Sequence, residues 1–488
     1  MSSTKKELAS GVLYTSLAKY SSMAVQLVVT AILARLLTPA DYGVIAIATV
    51  FIVFFNLLSD IGIGPAIIQF KELDRHDLSH IFSFTAYVGV VMFVAFFCCS
   101  WLIADYYNNS TLIPVCQLLS AVIFIHCLNI VPQNLQYKNK RFRYTAAVML
   151  IANVLTGIIA IVLALLGFGV FTLVIQQISS VALIFLFFYS QEKLPLKWKI
   201  DSKPLKRIFS FSAYQFLFNV INYFSRNLDK LLIGRYIGVA PLGQYEKSYR
   251  LMLLPLQNIS FAISPVIQPI FSNFQNNLFE LADKYKKLFE LLCYVGFPLS
   301  ILLFYSSKEL ILLFFGNQWH DAIFPFKIMA LTVGLQILNG TTGAIYQSAN
   351  ATKFLFIGGC ITAFLMVSAF LIAIFGWHTI NAVAVCFSIA QLLNSIIVYI
   401  MLFKILRYPL TRIIRVMVIP IIITFIIGVA LYLVVPFCDN LSLILSLVIK
   451  CLISLLIWFL CVNYASPYKG TARMCFQKIK KLVAAKLR

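Results

Sequence analysis

The chain has 488 residues, of which 61% are hydrophobic and only 11% are charged, and its mean hydropathy is +0.92. Soluble globular proteins carry about 25% charged residues, so this composition excludes an ordinary soluble domain and indicates an all-α protein that crosses a membrane many times. The net charge of +22 would also suit a nucleic-acid-binding protein, but the placement of the basic residues argues against that class.

Apolar stretches long enough to cross a bilayer follow one another along almost the whole chain. Fourteen of them reach about 20 residues, the length that spans a ~30 Å hydrocarbon core. The predicted spans are 11–34, 42–68, 79–104, 112–133, 144–166, 169–190, 209–234, 241–270, 288–306, 324–350, 354–375, 379–403, 414–435 and 441–464.

The basic residues of the connecting segments lie mostly on one side of this arrangement. Twenty-nine lysines and arginines fall in the termini and alternate loops, whereas the opposite loops hold only Arg35, Arg235 and Lys308. Cytoplasmic loops of membrane proteins carry such an excess. The pattern predicts that both termini are cytoplasmic and that the positive charge reports topology and not nucleic-acid binding.

The N-terminal apolar run is not that of a cleavable signal peptide. It is too long, it contains Lys19, and no small-residue cleavage site follows it. Lys19 lies on a polar stripe with Thr15, Ser22, Gln26 and Thr30, which predicts one polar face on the first helix.

The second predicted span contains the sequence SDIGIGP. Gly62 and Gly64 precede Pro65, and Pro265 occupies the corresponding place 200 positions later. Paired interruptions of this kind point to a binding region in carriers, although two tolerated kinks in packed helices are the alternative. Asp60 beside the first interruption is either an ion-coupling carboxylate or the cap of a broken helix.

No motif of metal binding or catalysis is found. His76 and His80, the one His pair at helical spacing, are predicted to have a surface role, and the eleven cysteines form no C-x-x-C pair. The chain lacks a phosphate-binding P-loop, a G-x-S-x-G elbow and an H-E-x-x-H sequence. We therefore expect no enzyme activity, no catalytic residues, no metal and no cofactor.

The chain contains an internal repeat. The stretch ILARLLTPADYG (32–43) matches LIGRYIGVAPLG (232–243), so that Arg35 aligns with Arg235 and Gly43 with Gly243. Two six-helix lobes that both begin at the cytoplasmic side form a parallel repeat, a recurring plan among carriers. The predicted divisions are an N-terminal lobe (1–190), a basic linker (191–207), a C-terminal lobe (208–404), helices 13 and 14 (405–464) and a basic tail (465–488).

Charged residues are concentrated in the seventh and eighth predicted spans. Arg226, Asp229 and Lys230 continue a polar helix face, and Lys247 and Arg250 follow in the next span. Each charge facing lipid costs roughly 2.5–3.5 kcal/mol, so the face is predicted to line water. In the alternative interpretation, Arg226 and Lys230 simply neutralise Asp229.

Together these positions predict a cationic central cavity. Its candidate residues are Lys19, Arg35, Arg226, Lys230, Arg235, Lys247 and Arg250. Such a cavity suits an anionic passenger, because Arg and Lys bind phosphate well, although Arg35 and Arg235 would serve equally as interface anchors. If H⁺ or Na⁺ drives transport, the candidate coupling residues are Asp60, Asp229 and Glu246. Lys327 and Lys450 are set aside as snorkelling or helix-contacting residues.

Three segments carry a family resemblance: ILARLLTPADYG, LLSDIGIGPAIIQFKEL and LDKLLIGRYIGVAPLGQYEKSYRL. They resemble the polysaccharide transporter family, the Wzx-type flippases of lipid-linked oligosaccharides. That family belongs to the multidrug/oligosaccharidyl-lipid/polysaccharide (MOP) exporter superfamily, with the MATE drug exporters and the lipid II flippases. The resemblance covers nearly the whole chain and implies a MATE-like fold of two bundles with two further C-terminal helices.

The resemblance also implies a function. Such a carrier moves an undecaprenyl-pyrophosphate-linked oligosaccharide from the cytoplasmic to the outer leaflet of the bacterial inner membrane by alternating access, for surface polysaccharide export. The implied partners are this substrate, membrane lipids, and a polysaccharide polymerase or export-complex proteins, with no nucleic acid.

Other functions remain open at this stage. A MATE-like multidrug or cation antiporter would favour an acidic or aromatic cavity, and the basic excess argues against it. A membrane-embedded polysaccharide polymerase or ligase would need a larger outer loop than the longest one predicted, residues 307–322. A scaffold subunit without transport is the third alternative.

Overall fold

The computed structural model of the protein describes residues 20–60, 62–70, 72–198, 223, 227–438 and 441–465. Every regular element in these ranges is helical, which confirms the all-α membrane class. The chain divides into two compact units, Met1–Glu246 and Lys247–Arg488. The lobes, linker and tail predicted from the repeat are a different division and stay a prediction.

The described part of the first unit contains eight helices and the start of a ninth. They are α1 (Tyr20–Leu36), α2 (Pro39–Asp60), α3 (Ile63–Gln69), α4 (Arg75–Tyr107), α5 (Leu112–Lys138), α6 (Phe142–Leu165), α7 (Val170–Glu192), α8 (227–236) and the start of α9 (Val239–Phe271).

The second unit contains the remainder of α9 and the later helices. These are α10 (Leu278–Tyr305), α11 (Ser307–Phe315), α12 (Ile323–Ala330), α13 (Val333–Ser348), α14 (Thr352–Trp377), α15 (Ile380–Ile405), α16 (Leu410–Cys438) and α17 (Leu443–Ala465). Short 3₁₀ turns occupy Ser272–Phe274 and Asn317–Ala322.

Ten of the described helices are long and apolar enough to cross a membrane, and a bent pair brings the number to eleven. The predicted count of fourteen is therefore not confirmed. The described part of the first predicted span is the shorter helix Tyr20–Leu36, and the seventh span lies largely outside the described residues. Helix α9 carries Glu246, Lys247 and Arg250, which lower its hydropathy.

The predicted interruption of the second span is confirmed. Helix α2 ends at Asp60 and α3 begins at Ile63, with Gly62 between them at φ 78°. That left-handed conformation favours glycine because a Cβ would clash there. The Asp60 carboxylate accepts a hydrogen bond from the backbone N–H of Gly64 at 3.3 Å, so Asp60 caps the new helix.

The predicted interruption at Pro265 is wrong. Helix α9 continues through this position from Val239 to Phe271. The positions that correspond to Gly62 and Gly64 are Ala262 and Ser264, and neither residue readily adopts the left-handed conformation that separates α2 from α3. A proline without an adjacent glycine can bend a membrane helix without ending it.

The tenth predicted span is broken instead. The segments Asn317–Ala330 and Val333–Ser348 meet at an angle of 56°. Gly334, at the start of α13, packs directly on α10, because a Cβ added to it would lie 2.8 Å from the backbone of Gly296. This break was not predicted, since the sequence ALTVG around it has no proline.

The helices of spans 13 and 14 pack against α10. A buried cluster joins Tyr294 of α10 to Ile423, Ile427 and Leu431 of α16 and to Val462 of α17. In lipid, such association depends on close packing and interhelical hydrogen bonds. One of these bonds runs from Trp458 Nε1 to the carbonyl oxygen of Tyr294 at 2.8 Å. The two C-terminal helices are therefore integral to the second unit.

The internal repeat has a direct structural counterpart. A Cβ added to Gly43 would lie 1.8 Å from the carbonyl oxygen of Val239, and one added to Gly243 would lie 1.9 Å from that of Pro39. The two contacts are related by the same offset of 200 positions as the sequence match. The first turns of α2 and α9 thus cross in close backbone contact through equivalent residues.

Candidate functional site

The polar centre of the first unit lies where α8 meets the start of α9. The Asp229 side chain is 1% exposed and accepts hydrogen bonds from the Tyr245 hydroxyl at 2.9 Å and from the backbone N–H of Lys230 at 2.8 Å. Two donors at this distance offset much of the free energy lost on burying a carboxylate. Tyr245, which the sequence analysis did not single out, therefore holds Asp229 in place.

Lys230 extends this centre to a second carboxylate. Its ammonium nitrogen lies 2.9 Å from Glu246 Oε2, and the two side chains are 17% and 24% exposed. The interpretation in which Arg226 and Lys230 neutralise Asp229 stays open, because Arg226 lies outside the described residues. Three of the predicted site residues, Asp229, Lys230 and Glu246, are brought together as one largely buried ion pair and one fully buried acid.

Lys247 is placed in the second unit, in a different environment. Its side chain is 1% exposed, and its ammonium lies 5.1 Å from the ring centre of Phe315 and 5.3 Å from that of Trp319. Cation–π contacts of this length stabilise a desolvated ammonium by up to about 2 kcal/mol. The neighbouring Ser248 donates to the carbonyl oxygen of Ala322 at 2.7 Å, which fixes the same segment.

The other predicted cationic residues are dispersed. Arg35 and Arg250 are exposed, and the Arg235 guanidinium lies 5.0 Å from the ring centre of Tyr106. Lys19 and Arg226 lie outside the described residues. No contact among the described residues joins all of these side chains, so the cationic central cavity stays a prediction.

A cavity of about 490 Å³ is present in the first unit, and its lining is apolar. Phe51 and Phe54 of α2 face Tyr106 of α4, and Tyr223 and Leu231 complete the wall. Tyr223 donates its hydroxyl proton to the carbonyl oxygen of Val50 and stacks on Phe54. No charged side chain belongs to the described lining, so this space suits an apolar group and not a phosphate.

Among the described residues, the most deeply buried ion pair was missed by the sequence analysis. Lys450 Nζ lies 2.5 Å from Glu309 Oε1, Ser446 donates to the same oxygen at 2.6 Å, and both charged side chains are almost fully buried. Lys450 was set aside as a snorkelling or helix-contacting residue, and its contact with Glu309 agrees with the second of these alternatives. Glu309 was assigned to an external loop. The loop is instead helical, and α11 packs with α17, which brings the acid to the base.

A family model described as "Polysaccharide biosynthesis protein" matches residues 32–324, more than half of the chain. The chain belongs to this family. The match includes both copies of the internal repeat and all three residues of the α8–α9 polar centre.

Two relatives give the same assignment. The teichuronic acid biosynthesis protein TuaB of Bacillus subtilis (strain 168) is 26% identical over 349 residues, which cover 71% of this chain and 72% of TuaB. The lipopolysaccharide biosynthesis protein WzxC of Escherichia coli (strain K12) is 25% identical over 422 residues, 82% of each chain.

The fold is shared with a solved structure of the lipid II flippase MurJ. The TM-score is 0.73, and the match covers 93% of this chain and 98% of MurJ at 17% sequence identity. This likeness shows the fold. The family and the fold together place the chain among polytopic membrane proteins of polysaccharide biosynthesis.

Proposed function

We propose that the protein flips an undecaprenyl-pyrophosphate-linked oligosaccharide from the cytoplasmic to the outer leaflet, for export of a surface polysaccharide. The observation that carries this proposal is the flippase-type fold of a chain that belongs to a polysaccharide biosynthesis family. The names of TuaB and WzxC place these relatives in the synthesis of teichuronic acid and lipopolysaccharide, which are surface glycans.

The chemistry of the α8–α9 centre supports an anionic passenger. A pyrophosphate cannot enter hydrocarbon unaided, because its oxygens would lose their hydrogen bonds to water. The Lys230 side chain is 17% exposed and already pairs with a carboxylate, Glu246, at 2.9 Å. A phosphate oxygen that replaces this carboxylate would gain a charge-assisted hydrogen bond at little cost in reorganisation.

The same exchange offers a route to ion coupling. When a phosphate oxygen replaces Glu246 as the partner of Lys230, the Glu246 carboxylate becomes a site that can bind H⁺ or Na⁺. Asp229, held by Tyr245, and Asp60, which caps α3, are already satisfied by hydrogen bonds. Of the three predicted coupling carboxylates, we therefore propose Glu246.

We further propose that the protein lies in the bacterial inner membrane with both termini in the cytoplasm, where it works with a polysaccharide polymerase or export-complex proteins. The asymmetry of basic residues supports this orientation. A MATE-like exporter of cationic drugs is less well supported, because the matching family is one of polysaccharide biosynthesis, although the aromatic lining of the first unit's cavity is a feature expected of such an exporter.

The proposal is tested by reconstitution in proteoliposomes with a labelled undecaprenyl-pyrophosphate-linked oligosaccharide, using a membrane-impermeant glycosidase to report transfer between leaflets. We expect Lys230→Gln to slow translocation roughly tenfold or more, since a charge-assisted hydrogen bond is worth about 1.5–3 kcal/mol. Arg226→Ala and Lys247→Ala should also slow translocation while membrane insertion survives.

Lys284→Gln is the matched control. Lys284 pairs with Glu280 at 3.2 Å, as Lys230 does with Glu246, but both partners are about half exposed on α10. It should translocate at the wild-type rate. Normal flipping by well-folded Lys230→Gln, Arg226→Ala and Lys247→Ala would reject the roles of these residues, and wild-type export of tetraphenylphosphonium without oligosaccharide transfer would favour the cation exporter.

A further inference from the structure

A cluster of metal-ligating side chains lies at the start of α4, away from the α8–α9 centre. Asp74, His76 and Asp77 each offer one ligand atom, and these atoms all lie within 4.8 Å of one another. The Nε2 atoms of His76 and His80 are 3.4 Å apart. The sequence analysis assigned this His pair a surface role because spacing alone does not show that the two rings converge.

The distance between the two imidazole nitrogens agrees with shared metal coordination. Zn–N bonds of about 2.0–2.1 Å in a tetrahedral site place two ligand nitrogens about 3.3 Å apart. The rings of His76 and His80 meet edge to face, with centroids 4.5 Å apart and an interplanar angle of 69°. The spacing is held by one turn of helix, because residues i and i+4 share a face.

The acidic residues supply further ligands. Asp74 is the N-cap of α4, and its Oδ1 accepts the backbone N–H of Asp77 at 2.6 Å, which orients its carboxylate. His76 and Asp74 are exposed, Asp77 is half-buried and His80 is buried. A cation can therefore reach the site from solvent and bind His80 as its innermost ligand. Two imidazoles and a carboxylate form a ligand set that suits Zn²⁺ and the neighbouring first-row divalent ions.

A hydrogen bond between the two rings is the competing explanation. At 3.4 Å one neutral ring donates its Nε2 proton to the lone pair of the other, a long bond for this type. That arrangement accounts for the His pair, and N-capping accounts for Asp74, but neither accounts for the convergence of Asp74 and Asp77 on His76. A divalent cation would neutralise the acids and use both imidazole lone pairs at once.

We propose that His76 and His80, with a carboxylate of Asp77 or Asp74, form a binding site for a divalent transition-metal ion of the Zn²⁺ type. The site joins the first two turns of α4 to the turn that follows α3. It lies on the predicted cytoplasmic side, where Lys138 of α5 also donates to the carbonyl oxygen of Phe70 at 2.9 Å. A bound ion would fix this turn in place.

The site is tested by titrating ZnCl₂ into the full-length protein in detergent, after removal of any polyhistidine tag, with calorimetry and thermal unfolding as the two measurements. We expect one saturable site in the wild type and a higher Tm in the presence of the metal, because a ligand that binds the folded state stabilises it. His76→Ala, His80→Ala and the double variant should each bind at least roughly tenfold more weakly.

His320→Ala is the control, because His320 is exposed and lies far along the chain in the 3₁₀ turn of Asn317–Ala322. It should bind Zn²⁺ as the wild type does. Equal binding by the wild type and by the well-folded His76→Ala/His80→Ala variant would overturn the proposal, and so would the absence of saturable binding in the wild type. Asp77→Asn separates the ligands, since it should weaken binding only if Asp77 contributes.

Discussion

Glu309 and Lys450 show how a charge is accommodated within the second unit. The two groups are 2.5 Å apart and almost fully buried; Ser446 also donates to Glu309 Oε1, and Lys450 also donates to the carbonyl oxygen of Tyr305. Removing one partner of a buried pair leaves the other charge uncompensated, whereas replacing both with neutral groups of similar size is far less harmful.

We therefore expect Lys450→Met to reduce the free energy of unfolding by roughly 3–5 kcal/mol, and Glu309→Gln to have a similar effect. The double variant should recover most of this loss. Thermal unfolding in detergent, with the exposed Lys284→Met variant as control, measures both effects. If the double variant is less stable than either single variant, the pair is not the source of the destabilisation.

Single residues were predicted unevenly, for physical reasons. Asp229, Lys230 and Glu246 were selected correctly as deep charges, because any charge in an apolar run stands out. Their partners were not predicted, since Tyr245 lies in the next helix and its approach to Asp229 depends on how α8 and α9 pack. Glu309 was misplaced because its nearest partner, Lys450, is 141 positions away in the sequence.

At the level of helices, the crossing of α2 and α9 is controlled by two glycines. At Gly43 and at Gly243, a backbone carbonyl group of the other helix occupies the place where a Cβ would lie. Small residues allow membrane helices to approach this closely. A methyl group at either position must push the helices apart.

We expect Gly43→Ala and Gly243→Ala each to lower stability by about 1–3 kcal/mol or more, as overpacking does. Gly359→Ala is the matched control, because Gly359 is also helical and nothing lies within 4 Å of its added Cβ. Alanine there should be neutral or slightly stabilising. Thermal unfolding of the three variants checks this, and equal stability of all three would contradict the close crossing.

Helix boundaries could be predicted from the sequence where a local residue, such as a glycine with positive φ, determines them. Gly62 predicted the break after α2 because glycine adopts the left-handed backbone conformation, here φ 78°, without strain. The bend between α12 and α13 has no such marker, since it arises where Gly334 packs on Gly296 of another helix. Pro265 was wrongly taken for a break because a proline's effect depends on its neighbours.

For the whole molecule, the distribution of basic residues makes a topological prediction. A reporter fused after residue 140, between α5 and α6, should be cytoplasmic, and one fused after residue 109, between α4 and α5, should be external. Green fluorescent protein and alkaline phosphatase fusions at both places measure this. Phosphatase activity at 140 with fluorescence at 109 would invert the orientation.

The fold class followed from composition and the repeat, whereas the number of spans did not. A count of spans from hydropathy treats each helix alone. Helix α9 carries charged residues that are paired with other helices, as Glu246 is with Lys230. Lys247 is likewise satisfied by the rings of Phe315 and Trp319. The shape of a cavity depends on such distant partners, so a list of deep charges could not define one.

The contact between α2 and α9 also bears on the internal repeat of the chain. Residue 43 meets residue 239, and residue 243 meets residue 39, so the same patch of each repeat touches its own copy. A self-complementary patch is what a two-fold homodimer presents to its partner. This two-fold relation agrees with the internal repeat, and enlarging either glycine would push apart the two turns that carry them.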